Sequence, residues 1–531
     1  MELVVDSDDI YVGIDLGTSN SCCYFVRNGT IIPLSINGRN IIPSYVDYKN
    51  NGSVVVGRAA KMSYGYGYRT SNVIRNSKRI IGKSYNSPSV TPFLDLCGVP
   101  IKNVNNKPVF HIDSLNRDIT PKMVATEIIK YFLNEVEKVC KCKPAKVCVT
   151  IPARFGHNER KLTMEAVEEA GVPRDRICIQ NEPAAAAYCY GLDNVHDQSR
   201  VLVYDLGGGT FDLTYLKING DNYDAVYHEG NPHLGGSDFD KLIFDWICKQ
   251  FEEEHHRPFL PKDLPERTRQ LHLQKILQIV EECKIGLSTS EDMTFSYPFV
   301  NSTKQDDDDD DEEEDEYSIH IDRPTLDTIL EKEIDITMDL VRSSLARHSL
   351  TTDDVDCVVL VGGSSKLHLV SEKLASIFDH DKLRYGVNPD ECVAQGACIF
   401  LTKPVVIHEV TSRSLGARIS GNRVICLLPA QTPIPNKYTT EVKTSDDYQK
   451  TAFSSVIQAD QRKEEDIMAV DETCQELHPL SWSNFEVLPR GEVKFEITYR
   501  IDETCLLHVR VVEKKTRKVL IMDEVVKVVE I

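Results

Sequence analysis

Two segments of this chain have the residues to hold a polyphosphate. Val12-Gly-Ile-Asp-Leu-Gly-Thr-Ser-Asn-Ser21 and Leu202-Val-Tyr-Asp-Leu-Gly-Gly-Gly-Thr-Phe-Asp212 share one pattern. Each is an apolar run, then Asp-Leu-Gly, then small and hydroxyl residues, then another apolar run. The pattern predicts a hairpin whose tight turn exposes backbone N–H groups. Glycine lets that backbone approach phosphate oxygens closely, and hydroxyls add hydrogen bonds. Asp15 and Asp205 can hold the water shell of a magnesium ion. Two copies imply two related lobes closing on one nucleotide. A third turn, Gly362-Gly363-Ser364, ends an apolar strand before a helix and suits a nucleotide's sugar and phosphates. A P-loop is excluded: Gly82-Lys83-Ser84 resembles its end, but Ser77 stands where its first glycine is required.

The elements that must position these turns are legible around them. From residue 10 to about 400, apolar runs at 147–152, 200–208 and 357–363 read as buried strands. Helical stretches alternate with them. The clearest has Thr120 as N-cap and Pro121 in its first turn, with Val124, Ile128, Phe132, Val136 and Val139 on one face. Such alternation predicts an α/β architecture. The pattern changes after about residue 404. Val493, Phe495, Ile497, Tyr499 and Ile501 share one face of a strand, and β-branched runs follow at 506–512 and 519–529. A smaller all-β domain is expected there, with the boundary at Lys403 to Ser414.

At 531 residues and 60.0 kDa the chain is too long for one core. Its net charge is −21, of which the eleven acids Asp306 to Glu316 account for 11, so the rest carries −10. That run has nothing apolar to bury and reads as a solvated insertion. A mildly acidic body is a poor match for nucleic acid. The opening residues lack the basic region and cleavage site of a secretory signal, and no run is long enough to span a membrane. The sixteen cysteines have no C-x-x-C spacing, and Cys148, Cys357 and Cys426 sit in apolar runs, which points to a reducing cytosol.

The segments DLGTSNS, VTIPARF, NEPAAAAY, YDLGGGTFDLT, HLGGSDFD, VLVGGSS and NPDE occur in this order. Together they resemble the heat-shock protein 70 chaperone family over nearly the whole chain from about residue 10. The resemblance implies an actin-like, ribonuclease H-like duplicated ATPase domain over 10–402. A linker over 403–414 and a peptide-binding β-sandwich over 415–531 would follow. It implies ATP or ADP with magnesium and a potassium ion as cofactors. It also implies unfolded or nascent polypeptide as client, J-domain proteins and nucleotide exchange factors as partners, and a role in stress response in the cytoplasm. By position, Asp15, Gly17, Thr18 and Ser19 belong to the first phosphate hairpin, and Asp205, Gly207, Gly208, Gly209, Thr210 and Asp212 to the second. Glu182 positions the attacking water, and Lys78 matches the family's catalytic lysine. Pro152, with Arg160 as its partner, relays nucleotide state. Gly235, Gly236, Glu281, Lys284, Ser288, Gly362, Gly363, Ser364, Lys366 and Asp390 match positions around the sugar and base.

The chain departs from that pattern in places. Ile285 and Lys366 stand where the family sandwiches adenine between two arginines, so adenine affinity should fall. Cys178 replaces an arginine that meets J-domain partners. The peptide pocket falls on Ile419, Ser420, Val442, Ser445, Ala452 and Ser454, several of them small or polar. No helical lid is expected after the last strand. The reading is an ATP-dependent chaperone that couples polypeptide binding to hydrolysis. The alternative is a weakly hydrolysing or non-hydrolysing lidless co-chaperone or scaffold, for example on the ribosome. A small-molecule kinase is a distant third.

Overall fold

The computed structural model describes residues 9–66, 72–88, 90–96, 99–194, 199–300, 316–385, 388–403, 406–419, 423–459, 467–469, 474–477 and 480–525. The acidic run up to residue 315, Val405 and Ser420 lie outside them, as does the last stretch of the run expected at 519–529.

Mixed α/β structure fills the first four hundred residues, organised on two large sheets. In the first, strands run in the order Ile177–Asn181, Lys146–Ile151, Tyr11–Asp15, Asn20–Arg27, Thr30–Pro33. In the second the order is Leu383–Arg384, Cys357–Val361, Ser199–Leu206, Phe211–Asn219, Asn222–Asn231, Val406–His408. The two share a construction. Tyr11–Asp15 pairs antiparallel with its hairpin partner and parallel with Lys146–Ile151, and Ser199–Leu206 does the same with Phe211–Asn219 and Cys357–Val361. Central strands with both faces covered must be apolar throughout. Val201, Leu202, Val203, Tyr204 and Leu206 are accordingly all buried.

Two helices join the sheets, Glu182–Asn194 and Cys392–Thr402. They cross at Gly396, where an added Cβ would lie 1.7 Å from the Ala185 carbonyl oxygen. The second helix also presses on the first sheet, since a Cβ on Gly13 would meet Ala394 O and Cys398 N at 2.6 Å. Gly396→Ala is therefore expected to wedge the helices apart and cost about 2–3 kcal/mol, read as a lowered thermal midpoint of unfolding.

The helix Pro121–Cys140 begins as expected, with the Thr120 hydroxyl accepting from Met123 N at 3.2 Å. Val124, Ile128, Phe132 and Val136 are buried in the first lobe's core. Val139 is not: it is 49% exposed, and Glu137 and Lys138 beside it are exposed too. In the last turn Cys140 still packs against that core, while Val139 beside it is left uncovered.

The remainder of the chain is β-structure. Strand Lys494–Ile501 pairs with Asn436–Lys443 and Leu507–Glu513, and the latter pairs with Val519–Val525. Alternation puts Val493, Phe495, Ile497, Tyr499 and Ile501 inside, as expected. A second sheet holds Ser414–Ile419, Arg423–Leu428 and Val456–Ala459. This β-unit touches the first lobe. Leu507 N donates to His157 Nδ1 at 3.1 Å, His157 N to Gln458 Oε1 at 2.9 Å, and Gln475 Nε2 to Gly82 O at 2.6 Å.

The segment expected as a linker forms a strand of its own over Val406–His408. It adds in parallel to the edge of the second sheet, with Val406 N donating to Asp221 O at 2.9 Å. Among the described residues no helix is long and apolar enough to cross a membrane.

Candidate active site

Both glycine turns open into one cleft of about 350 Å³ between the lobes. The first turn is anchored by Ser44, whose N donates to Ser19 O and whose Oγ donates to Gly17 O, each at 2.8 Å. The second is held by its carbonyls. Gly207 O accepts from Gly236 N at 2.9 Å and Ser364 Oγ at 3.1 Å, Gly208 O from Ser237 N at 2.9 Å, and Gly209 O from Arg79 at 2.9 Å. In a trans peptide the N–H points opposite to the C=O. The N–H groups of Gly208, Gly209 and Thr210 therefore point away from these partners, and all three residues line the cleft.

Glycine is required because the parts touch. A Cβ on Gly208 would be 2.2 Å from Ser19 Oγ, and one on Gly235 would be 2.6 Å from Gly209 N. A Cβ on Gly236 would be 2.7 Å from Ser364 Oγ, and Gly362 has φ +80°.

Lys78 reaches the same cleft from the first lobe, and its Nζ donates to Glu182 Oε1 at 2.6 Å. Both side chains are about nine-tenths buried, at 10% and 12% exposed. Glu182 starts the helix Glu182–Asn194 directly after the edge strand Ile177–Asn181, and it lines the cleft. Asp15 is the last residue and Asp205 the last but one of the first strand of its hairpin, and both line the cleft beside them.

Four carboxylates crowd into this space. Burial, and next the charge of Glu182, push Asp15 up to about 7, against the opposing pull of Lys78 and the Thr150 hydroxyl. Burial, then Glu182 and Asp212, raise Asp205 as well. Asp212 is pushed up to about 6, chiefly by burial. Acids that resist ionising this strongly are relieved by a divalent cation, and the glycine cradle beside them leaves room for phosphate. These residues fit a magnesium nucleotide.

Of the expected sugar and base residues, Glu281, Lys284, Ser288, Gly362, Gly363, Ser364, Lys366 and Asp390 all line the cleft with Pro152. Gly235 abuts the second turn from behind. Lys284 Nζ donates to Gly236 O at 2.7 Å and pairs with Asp240 at 2.6 Å, while Glu281 pairs with Lys61 at 2.7 Å. Lys366 is ion-paired with Asp390. Arg160 is away from the cleft, donating to Phe155 O, Ala153 O and Asn181 Oδ1 at 2.9–3.1 Å.

The sequence reading missed Ser44, Arg79, Thr150 and Asp240. Asp240 had a signal, since an acid in the first turns after a glycine pair suits a helix start. Ser44 and Thr150 had none, because their partners lie 27 and 135 residues away.

The expected peptide residues are dispersed. Ala452 is buried, with Val442 packed at the edge of the same core. Ser454 Oγ meets Tyr499 Oη at 2.9 Å. Ser445 sits in an exposed turn, bonded to Asp446 and Gln449. The side chain of Ile419 and the whole of Ser420 lie outside the described residues.

A family model described as Hsp70 protein matches residues 11–525. The chain is also similar to "Chaperone protein DnaK" of Buchnera aphidicola subsp. Schizaphis graminum (strain Sg). The two are 29% identical over 518 residues, covering 96% of this chain and 77% of that relative. A match of this extent, over the turns and cleft just described, makes the chain a member of the Hsp70 family, ATP-hydrolysing chaperones that bind ATP or ADP with magnesium.

Proposed function

We propose that this chain binds extended or unfolded polypeptide in its C-terminal β-unit and couples that binding to ATP hydrolysis in the cleft. In this reading residues 10–402 form an actin-like ATPase domain, 403–414 the linker and 415–531 the peptide-binding sandwich. The observation that supports it most is the Lys78–Glu182 pair at 2.6 Å, set beside two glycine turns that approach each other across one cleft.

The backbone N–H groups of both turns, with the hydroxyls of Thr18, Ser19 and Thr210, would hold the phosphate oxygens. Asp15 and Asp205 would hold magnesium through its water shell. The ion, when bound, neutralises charge on the transferring phosphoryl group. Glu182 would orient the attacking water, and Lys78 would stabilise negative charge developing at the terminal phosphate. Both side chains are largely buried, where such charges have more effect than in water.

Contacts between the β-unit and the first lobe support coupling. Glu159 is fully buried there, ion-paired to Lys83 at 2.7 Å and held below the usual carboxylate range by Lys83 and then Arg413, a residue of the linker. A change in lobe closure would therefore be felt in the β-unit. J-domain proteins and exchange factors are the partners this reading expects, with Cys178 weakening the J-domain contact.

The test is single-turnover ATP hydrolysis with and without an extended apolar peptide. Turnover that peptide accelerates is the expected result. ATP binding with no response to peptide would overturn the coupling.

A further inference from the structure

We infer that the cleft selects the triphosphate of a nucleotide and is nearly indifferent to its base. The inference rests on the nucleotide reading above. It widens the substrate class from adenine nucleotides to nucleoside triphosphates in general.

The cleft has two unlike ends. At the phosphate end the backbone is fixed by hydrogen bonds and by glycines that leave no room for a Cβ. At the other end the lining comes from the last turn of the helix Glu266–Leu287 and the turn after Gly363, with Ile285, Ser288, Thr289, Lys366, Leu367 and Pro389. Among the described lining residues there is no aromatic ring and no arginine. A base is gripped by its face when a flat π-system or guanidinium stacks on it. Ile285 is 57% exposed and offers only an aliphatic contact, equally acceptable to any base.

Discrimination by the base edge needs a committed donor or acceptor. Groups of fixed polarity at this end are already engaged within the protein: Lys366 by Asp390, Lys284 by Asp240 and Gly236 O, and Glu281 by Lys61. The remaining polar side chains described there are Ser288 and Thr289, and the Thr289 hydroxyl already donates to Gly286 O at 3.2 Å, which leaves Ser288 as the uncommitted hydroxyl. A hydroxyl can donate or accept, so it suits an exocyclic amine and an exocyclic oxygen alike. Sites built on apolar contact discriminate weakly, whereas sites that demand a particular hydrogen bond discriminate strongly. This end is of the first kind.

The experiment uses the full chain with magnesium and ATP labelled by a fluorescent ester on its ribose. ATP, GTP, CTP, UTP and inorganic tripolyphosphate are compared as displacing ligands. The four nucleotides are expected to displace within about tenfold of one another, purines slightly ahead through their larger apolar area. A preference for ATP of about 100-fold or more over every other nucleotide would overturn the inference while leaving the nucleotide site standing. If neither the labelled ATP nor any competitor binds, the nucleotide reading fails and takes this inference with it. Ile285→Arg supplies a stacking plane and is expected to widen the ATP-to-UTP ratio several-fold. An unchanged ratio in that variant would remove Ile285 as the reason for indifference.

Discussion

Lys78→Ala is expected to keep ATP bound and to slow its single-turnover hydrolysis about 100-fold to 1000-fold. Three lysines are among the described residues lining the cleft: Lys78, Lys284 and Lys366. Lys284 is held by Asp240 and Lys366 by Asp390, both at the sugar and base end. Arg79, next in sequence, turns instead to Gly209 O and Asp238. Lys78 is thus the lysine left to meet charge developing at the phosphate end, and alanine there has no substitute. Binding survives because the two backbone turns remain. The substitution also strips Glu182 of its cation at 12% exposure, so a thermal midpoint should be recorded in parallel. Glu182→Gln separates the effects, since it removes the carboxylate that orients water and keeps the ammonium. Hydrolysis by Lys78→Ala at the wild-type rate would exclude Lys78 from the chemistry.

Glu409→Ala should release the strand Val406–His408 from the second sheet, weakening its docking by about 3 kcal/mol. Glu409 accepts from His228 Nε2 at 2.8 Å, and His228 Nδ1 meets Thr214 Oγ1 at 2.9 Å. Both partners are buried, at 8% and 3% exposed. Removing the carboxylate leaves the buried imidazole without the acid that its Nε2 meets. Amide exchange at Val406, whose N–H is bonded to Asp221 O, reports the loss as a roughly 100-fold fall in protection.

The same pair carries a pH dependence with a definite sign. His228, by its charge and then its hydrogen bond, and after it Asn181 and Arg160, hold Glu409 below its ordinary value of 4.5 despite full burial. A carboxylate with a depressed folded value stabilises above its unfolded value and loses that contribution as pH falls through the folded one. Docking should therefore hold from neutral pH down to about 4.5 and fail only in stronger acid. Protection at Val406 that is flat through that lower range would show that Glu409 does not hold the strand.

How much of this was legible beforehand follows from the range of each interaction. The glycine turns were readable because a tight turn is a local object: Asp-Leu-Gly between two apolar runs specifies a hairpin within a dozen residues. The alternation from Val493 to Ile501 was readable for the same reason, since a strand's period is two. Helix Pro121–Cys140 was readable at its start, where Thr120 and Pro121 act within one turn. It failed at Val139, because which side chains of the last turn the core covers is decided by other elements.

By itself, then, the sequence determined the two phosphate turns, the succession of α/β and all-β structure, and the family to which they belong, since each depends on neighbours along the chain. Only the tertiary structure decided which charges meet. Lys78 and Glu182 are 104 residues apart, His228 and Glu409 are 181 apart, and Lys61 and Glu281 are 220 apart. Nothing in local propensity selects one acid over another for such a lysine or histidine. The choice is made when Gly13 and Gly396 let a helix lie against both a sheet and a second helix, which closes two lobes on one cleft. Burial then makes each unpaired charge too costly to leave unmatched.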